Sequence, residues 1–252
     1  MSTTNLDGPP LRVEVNQWVR GWSRFWLRLQ RPLLLRRVRR TSLEWVDGVG
    51  IVVLPQVLNP VVFRSGAFLA RTVAKSSWAA PSGPAPRALD MGTGSGIGAV
   101  FAARRGYRVV GVDLNPEAVR CARVNALLNG LEDRIEVRAG DLFGPVLGER
   151  FDLVLFNPPF FRGRPAGLFD LAWRGVDVLE RFAAGLPDYL APGGRALILL
   201  STDGDADGML QALETAGLVV GIVTRRHFGN EIMTVYSAQR PGPAPIPQSC
   251  GG

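Results

Sequence analysis

Histidine and cysteine are almost absent from this chain, and each scarcity excludes chemistry. His227 is the sole histidine in 252 residues. A His-rich metal centre is therefore excluded, and a serine–histidine–aspartate triad would have to run through that one side chain. Cys121 and Cys250 are the two cysteines, far apart and in no metal-ligand spacing. A zinc site or a disulfide framework is unsupported, no metal is expected, and a reducing cytoplasm is the expected compartment. No apolar run reaches the ~18 residues that a membrane span needs, and no signal-peptide pattern opens the chain. Lysine is reduced to Lys75, so arginine carries nearly all of a formal net charge of +7. A positive surface favours acidic or nucleic-acid partners, although such a face is more often only solvated.

A hydrophobic content of 46% over this length fits one globular domain with a sizeable core and a small appendage. The apolar run Phe151-Asp152-Leu153-Val154-Leu155-Phe156 has no helical period and reads as a strand buried on both faces of a parallel sheet. It delivers Asn157-Pro158-Pro159-Phe160 to the strand's carboxyl end, where open α/β sheets place their chemistry. An exocyclic NH2 on an amide or an aromatic ring is planar, and its delocalised lone pair makes it a poor nucleophile. The side-chain oxygen of Asn157 and the carbonyl of Pro158 can each accept one N–H, turning that lone pair out of conjugation. Two consecutive prolines fix the carbonyl between them, and Phe160 would lie flat on the planar group. The plainer reading of Asn-Pro-Pro is a turn that ends a strand.

Taken in order, residues from Val13 to Leu29 carry Val15, Trp18, Val19, Trp22, Phe25, Trp26 and Leu29 at helical spacing, with Arg20, Arg24 and Arg28 on another side. This predicts an amphipathic helix, followed by the cluster Arg36, Arg37, Arg39 and Arg40. Its Arg and Trp side chains would either contact nucleic acid or pack on the main domain. A hairpin turning at Asp47-Gly48 and a short helix over Ser65 to Ser76 precede the linker Pro81 to Pro86. We therefore expect a basic N-terminal appendage over 1–80, a main domain over 81–240 and a disordered tail over 241–252. Within the main domain, strands at Ala88–Met91, Arg108–Asp113, Ile135–Ala139, Phe151–Asn157 and Ala196–Ser201 alternate with helices. Val219–Thr224 and Ile232–Ala238 would close the sheet as a hairpin; Arg225, Arg226 and His227 between them would either line the acceptor pocket or, the reading we favour, form an exposed loop.

The first of these strands runs into Asp90-Met91-Gly92-Thr93-Gly94-Ser95-Gly96-Ile97-Gly98. Its glycines let a ligand approach the backbone, and the helix that follows aims free N–H groups at an anionic group. Asp113 ends the next strand, where a carboxylate accepts ribose hydroxyls; Asp141 ends the third, where it can accept from an adenine amine. These residues describe a site for an adenosine-containing cofactor. Gly94 to Ala99 also fits the dinucleotide pattern G-x-G-x-x-A. Asp90 opposes a pyrophosphate there but suits a methionine ammonium.

The run Asp90 to Gly98, with Asp113, Asp141 and Asn157 to Phe160 at their spacings, resembles the class I S-adenosylmethionine-dependent methyltransferases. Within them it is similar to the branch that methylates planar nitrogens, the release-factor glutamine and RNA or DNA amino methyltransferases. The resemblance implies a Rossmann-like, doubly wound α/β fold with a seven-stranded sheet, mostly parallel and closed by an antiparallel hairpin. It implies that Asp90, Gly92, Gly94 and Gly96 surround the methionine end of S-adenosyl-L-methionine, Asp113 with Leu114 the ribose, and Asp141 with Leu142 the adenine. Asn157, Pro158 and Phe160 would hold a methyl acceptor on RNA, protein or a small molecule. Protein-glutamine enzymes usually carry Tyr after Asn-Pro-Pro, and Phe160 is closer to the ribosomal-RNA form. The alternatives are a small-molecule methyltransferase acting on N, O or C, and a cofactor-binding module without catalysis. Trp173 and Arg174, after the loop Phe161 to Phe169, are candidates for shaping the pocket. Asp203, Asp205, Asp207, Gly208 and Glu214 fit a calcium-loop pattern, but a strand rather than a helix leads into it, and the same acids suit a helix N-terminus.

Overall fold

The computed structural model describes residues 40–76, 85–229 and 231–242. The amphipathic segment over 13–29, most of the linker and the tail beyond 242 lie outside the described residues.

Strands β1 (Ser42–Val46) and β2 (Val49–Val53) form the antiparallel hairpin expected from Asp47-Gly48. Both turn residues have positive φ, 48° and 79°, the pair whose twist matches that of the flanking strands. Alternation sends Val46, Val49, Ile51 and Val53 inward and leaves Leu43 and Trp45 exposed. Helix α1 (Ser65–Lys75) follows, burying Phe68, Leu69 and Val73.

The main sheet alternates strands and helices as the apolar runs require: β3 (Arg87–Met91), α2 (Ile97–Arg104), β4 (Arg108–Asp113), α3 (Pro116–Leu128), β5 (Ile135–Ala139) and β6 (Phe151–Phe156). Asn115 caps α3 by accepting from the Glu117 N–H at 3.0 Å, with Pro116 at the first helical position. After β6 come two short strands, β7 (Phe161–Arg162) and β8 (Arg174–Gly175). The chain finishes with α4 (Val178–Tyr189), β9 (Leu190–Ser201), α5 (Ala206–Thr215), β10 (Val219–Phe228) and β11 (Glu231–Gln239). The seven strands lie in the order β10-β11-β9-β6-β3-β4-β5. All neighbours from β9 to β5 are parallel, and β11 is antiparallel to both β9 and β10. From β3 the chain winds outward through β4 and β5, then returns to β6 on β3's other side. A crevice therefore opens beyond the carboxyl ends of β3 and β6.

Two apolar cores flank the sheet. One joins the hairpin, α1, α2 and α3; the other is built by α4, α5 and the opposite face of the strands. Asn125, fully buried in α3, ties the first layer together. Its Oδ1 accepts from Val52 N at 2.7 Å, and its Nδ2 donates to Val52 O at 2.6 Å and to Ser95 O at 2.8 Å. Among the described residues no helix is long and apolar enough to cross a membrane.

Two sequence expectations are corrected. β9 begins at Leu190, six residues before Ala196, because pairing with β6 slips from Phe151↔Leu190 to Leu153↔Arg195. The bulge brings Gly194 so close to the Phe151 carbonyl that a Cβ would stand 2.6 Å from its oxygen. Arg225, Arg226 and His227 lie inside β10 rather than in a loop, since β11 keeps pairing out to Phe228↔Glu231 and the reversal falls at Gly229.

Candidate functional site

A cleft of about 370 Å³ follows the carboxyl edge of β3, β4 and β6, within the ~300–1,000 Å³ usual for small-molecule sites. Its floor is the turn after β3. Gly92 and Gly94 have φ of 63° and 55°, which bulkier residues rarely adopt, and a Cβ at Gly92 would meet nothing within 4 Å. The floor is therefore bare backbone. Gly96 serves packing instead: its N–H goes to the Thr93 carbonyl at 2.8 Å, and a Cβ would stand 2.9 Å from Ala122 Cα. Read from the sequence as a cofactor contact, Gly96 does not line the cleft.

Two carboxyls stand at this floor. Asp90 is almost fully buried; its Oδ2 accepts from Thr93 Oγ1 at 2.6 Å and from Ala99 N at 2.8 Å. Burial pushes its pKa up to about 7 against those two hydrogen bonds. Asp113 at the end of β4 accepts from Gly94 N at 2.8 Å and Asn115 N at 2.9 Å, and burial raises its pKa as well. Leu114 beside it is half exposed on the cleft wall. Asp141 and Leu142 form the far end, where Asp141 Oδ2 accepts from Arg181 Nη1 at 2.6 Å. Arg181 also bonds Asp177, linking this end to the start of α4.

At the other end stand Asn157 and Pro159. Asn157 Nδ2 donates to Ser65 Oγ at 3.1 Å, which fixes the amide, while its Oδ1 is buried without a partner among the described residues. Such an orphaned acceptor costs ~1–3 kcal/mol, so the geometry holds an unmet demand for an N–H. Pro158 is buried behind the wall. Phe160 packs against the first core and lines a small neighbouring hollow with Pro159 and Gly175.

The segment between β7 and β8 covers this end. It is closed on itself by Phe161 N to Trp173 O at 2.8 Å and Gly163 N to Gly175 O at 3.1 Å. Leu171, Ala172 and Arg174 line the cleft. Trp173 props the cover from behind, edge-on to Phe63 with ring centroids 4.8 Å apart. A whole wall escaped sequence reading: Gln56, Val57, Leu58, Pro60, Gly66 and Leu69, brought in by the loop before α1 and by α1 itself. Gln56 at φ 67°, its carbonyl accepting from Asn115 Nδ2 at 2.8 Å, was signalled only by the proline-bracketed run Leu54 to Pro60. Within the calcium pattern, Asp205 acts as a helix and ion-pair partner: it caps α5 by accepting from Gly208 N at 3.0 Å and pairs with Arg162. Among the described residues, no group of three or more His, Cys, Asp or Glu could hold a metal ion.

Residues 65–219 match the family model described as the methyltransferase small domain. The chain is 41% identical over 108 residues to the ribosomal RNA small subunit methyltransferase C of Alcanivorax borkumensis, covering 43% of this chain and 30% of that one. It is 31% identical over 208 residues to the release factor glutamine methyltransferase of Geobacter sulfurreducens, covering 74% of this chain and 70% of that protein. Among solved structures, the T. Thermophilus 16S rRNA N2 G1207 methyltransferase, in complex with AdoMet and guanosine, superposes with a TM-score of 0.61 at 20% identity, over 80% of this chain and 50% of that one. With the family model spanning the glycine turn, both carboxyls and the Asn-Pro-Pro-Phe wall, this chain belongs to the methyltransferase small-domain family of S-adenosylmethionine-dependent enzymes.

Proposed function

We propose that the protein methylates a planar NH2 of a macromolecule, either a nucleobase amine or a glutamine amide. The observation that carries the reading is the unpaired Oδ1 of Asn157, whose Nδ2 donates to Ser65 Oγ and so fixes the amide at the wall of the cleft. The relatives' names divide between RNA and protein acceptors, and both present the same planar group.

The residues present fit S-adenosylmethionine. The bare turn at Gly92 and Gly94 leaves room for its methionine end, Asp90 offers a negative partner to the ammonium, Asp113 faces the ribose position, and Asp141 with Leu142 the adenine. When bound, the cofactor supplies a methyl group on a positively charged sulfur, an electrophile with a good leaving group. The chain's task is to orient the nitrogen and exclude water. Asn157 Oδ1 takes one N–H of the acceptor, and the Pro158 carbonyl is the second acceptor we assign. With both hydrogens held, the nitrogen lone pair turns out of conjugation and towards the cleft. Transfer leaves a cation, the methylated nitrogen still carrying both hydrogens, and this cation loses one proton readily to water to give the neutral N-methyl product, so no histidine base is required. The cover between β7 and β8 must shift for an acceptor to reach the buried Oδ1.

Transfer of labelled methyl from S-adenosylmethionine into a host lysate, split into protein, RNA and small-molecule fractions, tests the reading. Label is expected in a macromolecular fraction, with Asn157→Ala binding the cofactor as before but losing about 100-fold in transfer. Label confined to small molecules, or an Asn157→Ala protein with most of its turnover, would overturn it.

A further inference from the structure

The edge of the sheet that carries Asn157 also carries an arginine pair that the cofactor cleft does not use. Because β11 is antiparallel to both β9 and β10, the end of β10 returns to the carboxyl edge of β9 and β6. There Arg226 and Phe228, two residues apart and so on one face, meet the start of α1. The Phe228 ring lies edge-on to Phe68 at 5.9 Å between centroids. The guanidinium carbons of Arg64 and Arg226 stand 5.6 Å and 5.2 Å from the centre of that ring. Arg64 immediately precedes Ser65, the residue that holds the Asn157 amide. Its φ of 64° with ψ of −32° is a costly backbone state for a residue with a side chain, of the kind that functional sites retain.

Neither guanidinium has a carboxylate within 4.0 Å among the described residues. The acid that acts on Arg64 is Glu231, whose Oε1 is taken by Ser201 Oγ at 2.5 Å and whose pKa burial raises. Asp203 acts on Glu231 in turn. Stacking on a ring occupies a guanidinium's face and leaves its N–H edge free to donate, and that edge matches the paired oxygens of a phosphate. A glutamine-bearing peptide offers no fixed anion to such a pair. A single-stranded nucleic acid offers one beside every base.

We propose that Arg64 and Arg226, braced on Phe228, grip the sugar–phosphate backbone of a single-stranded nucleic acid next to the nucleotide whose base amine meets Asn157. This rests on the reading of the previous subsection and narrows its acceptor to a nucleobase. The arginine pair fixes the strand relative to the cleft and takes no part in the transfer itself.

Binding of fluorescein-labelled single-stranded RNA of random sequence, and of DNA of the same sequence, is measured by anisotropy with the full chain across a range of salt concentrations. Each phosphate contact on a single strand contributes about 0.7 to the steepness of log K against log salt. Arg64→Gln/Arg226→Gln is expected to reduce that steepness by about 1.4 and to weaken binding about tenfold at physiological salt, with cofactor affinity unchanged. Arg104→Gln/Arg108→Gln removes the same charge at the opposite edge of the sheet, where both side chains are exposed, and is expected to change neither quantity. Equal effects of the two pairs would overturn the proposal in favour of general charge. Methyl label recovered in protein would overturn the nucleobase assignment and leave macromolecular N-methylation standing. Failure to label any macromolecule despite cofactor binding would instead remove the reading beneath it. Preference between the RNA and DNA probes decides which polymer supplies the phosphate.

Discussion

Asp90 holds a carboxyl where water scarcely reaches, and its acidity makes the cofactor site pH-dependent. Its folded pKa is raised from 3.8 to about 7, so folding favours the protonated form. The stability this contributes is fully present below pH 3.8 and is lost as pH rises through about 7. On our proposal that Asp90 meets the cofactor's ammonium group, binding reverses the preference by stabilising the carboxylate. Cofactor affinity is therefore expected to rise as pH climbs through about 7, and binding just below that pH should release a proton to the buffer. Calorimetry in two buffers of different ionisation heat measures that release. Asp113, whose pKa burial also raises, is a second source, and Asp90→Asn separates them because an amide oxygen can still accept from Thr93 and Ala99. If the variant releases as much as the wild type, Asp90 does not hold the ammonium.

At the scale of elements, the hairpin of β1 and β2 forms a sheet of its own, and a lone two-stranded hairpin is at best marginal in water. Its outer edge is paired by a side chain instead of a strand: the Asn125 amide meets both the N–H and the C=O of Val52 while holding the Ser95 carbonyl under the glycine turn. The hairpin itself was legible in the sequence, because Asp47-Gly48 and the alternation around it are local signals. What it leans on was not, since Asn125 lies 73 residues from Val52 and looks like any polar residue within a helix. Asn125→Ala leaves the Val52 N–H and the Ser95 carbonyl without their partner, the Val52 carbonyl keeping only the Cys121 thiol at 3.3 Å, and is expected to cost about 2–4 kcal/mol. Chemical denaturation gives that cost. Hydrogen exchange should speed up first in β1 and β2, and a loss spread evenly over the sheet would refute the edge role.

For the whole molecule, the strands of the parallel sheet and the glycine turn could be read directly, because buried apolar runs and turn glycines act over a few residues. The cleft's second wall could not, because Gln56 to Leu69 reaches Asn115 and Asn157 only through the tertiary fold. The linker composition at 81–86 suggests a boundary, yet on both sides of it residues enter one core: Val46, Ile51, Phe68, Leu69 and Val73 pack in the same cluster as Val100, Phe101 and Ala122. Each large apolar side chain buried is worth ~1.5–3 kcal/mol. Removing those five deletes stabilisation of the same order as the ~5–15 kcal/mol that holds a domain folded. A chain begun at residue 85 also lacks Ser65, which orients Asn157, and the cleft wall from Gln56 to Leu69. We expect that shortened protein to melt without cooperativity, to expose the apolar face of α2 and to bind no S-adenosylmethionine in calorimetry. A sharp thermal transition with near-normal cofactor affinity would establish the segment after the linker as a domain in its own right, with residues 40–76 an attachment to it.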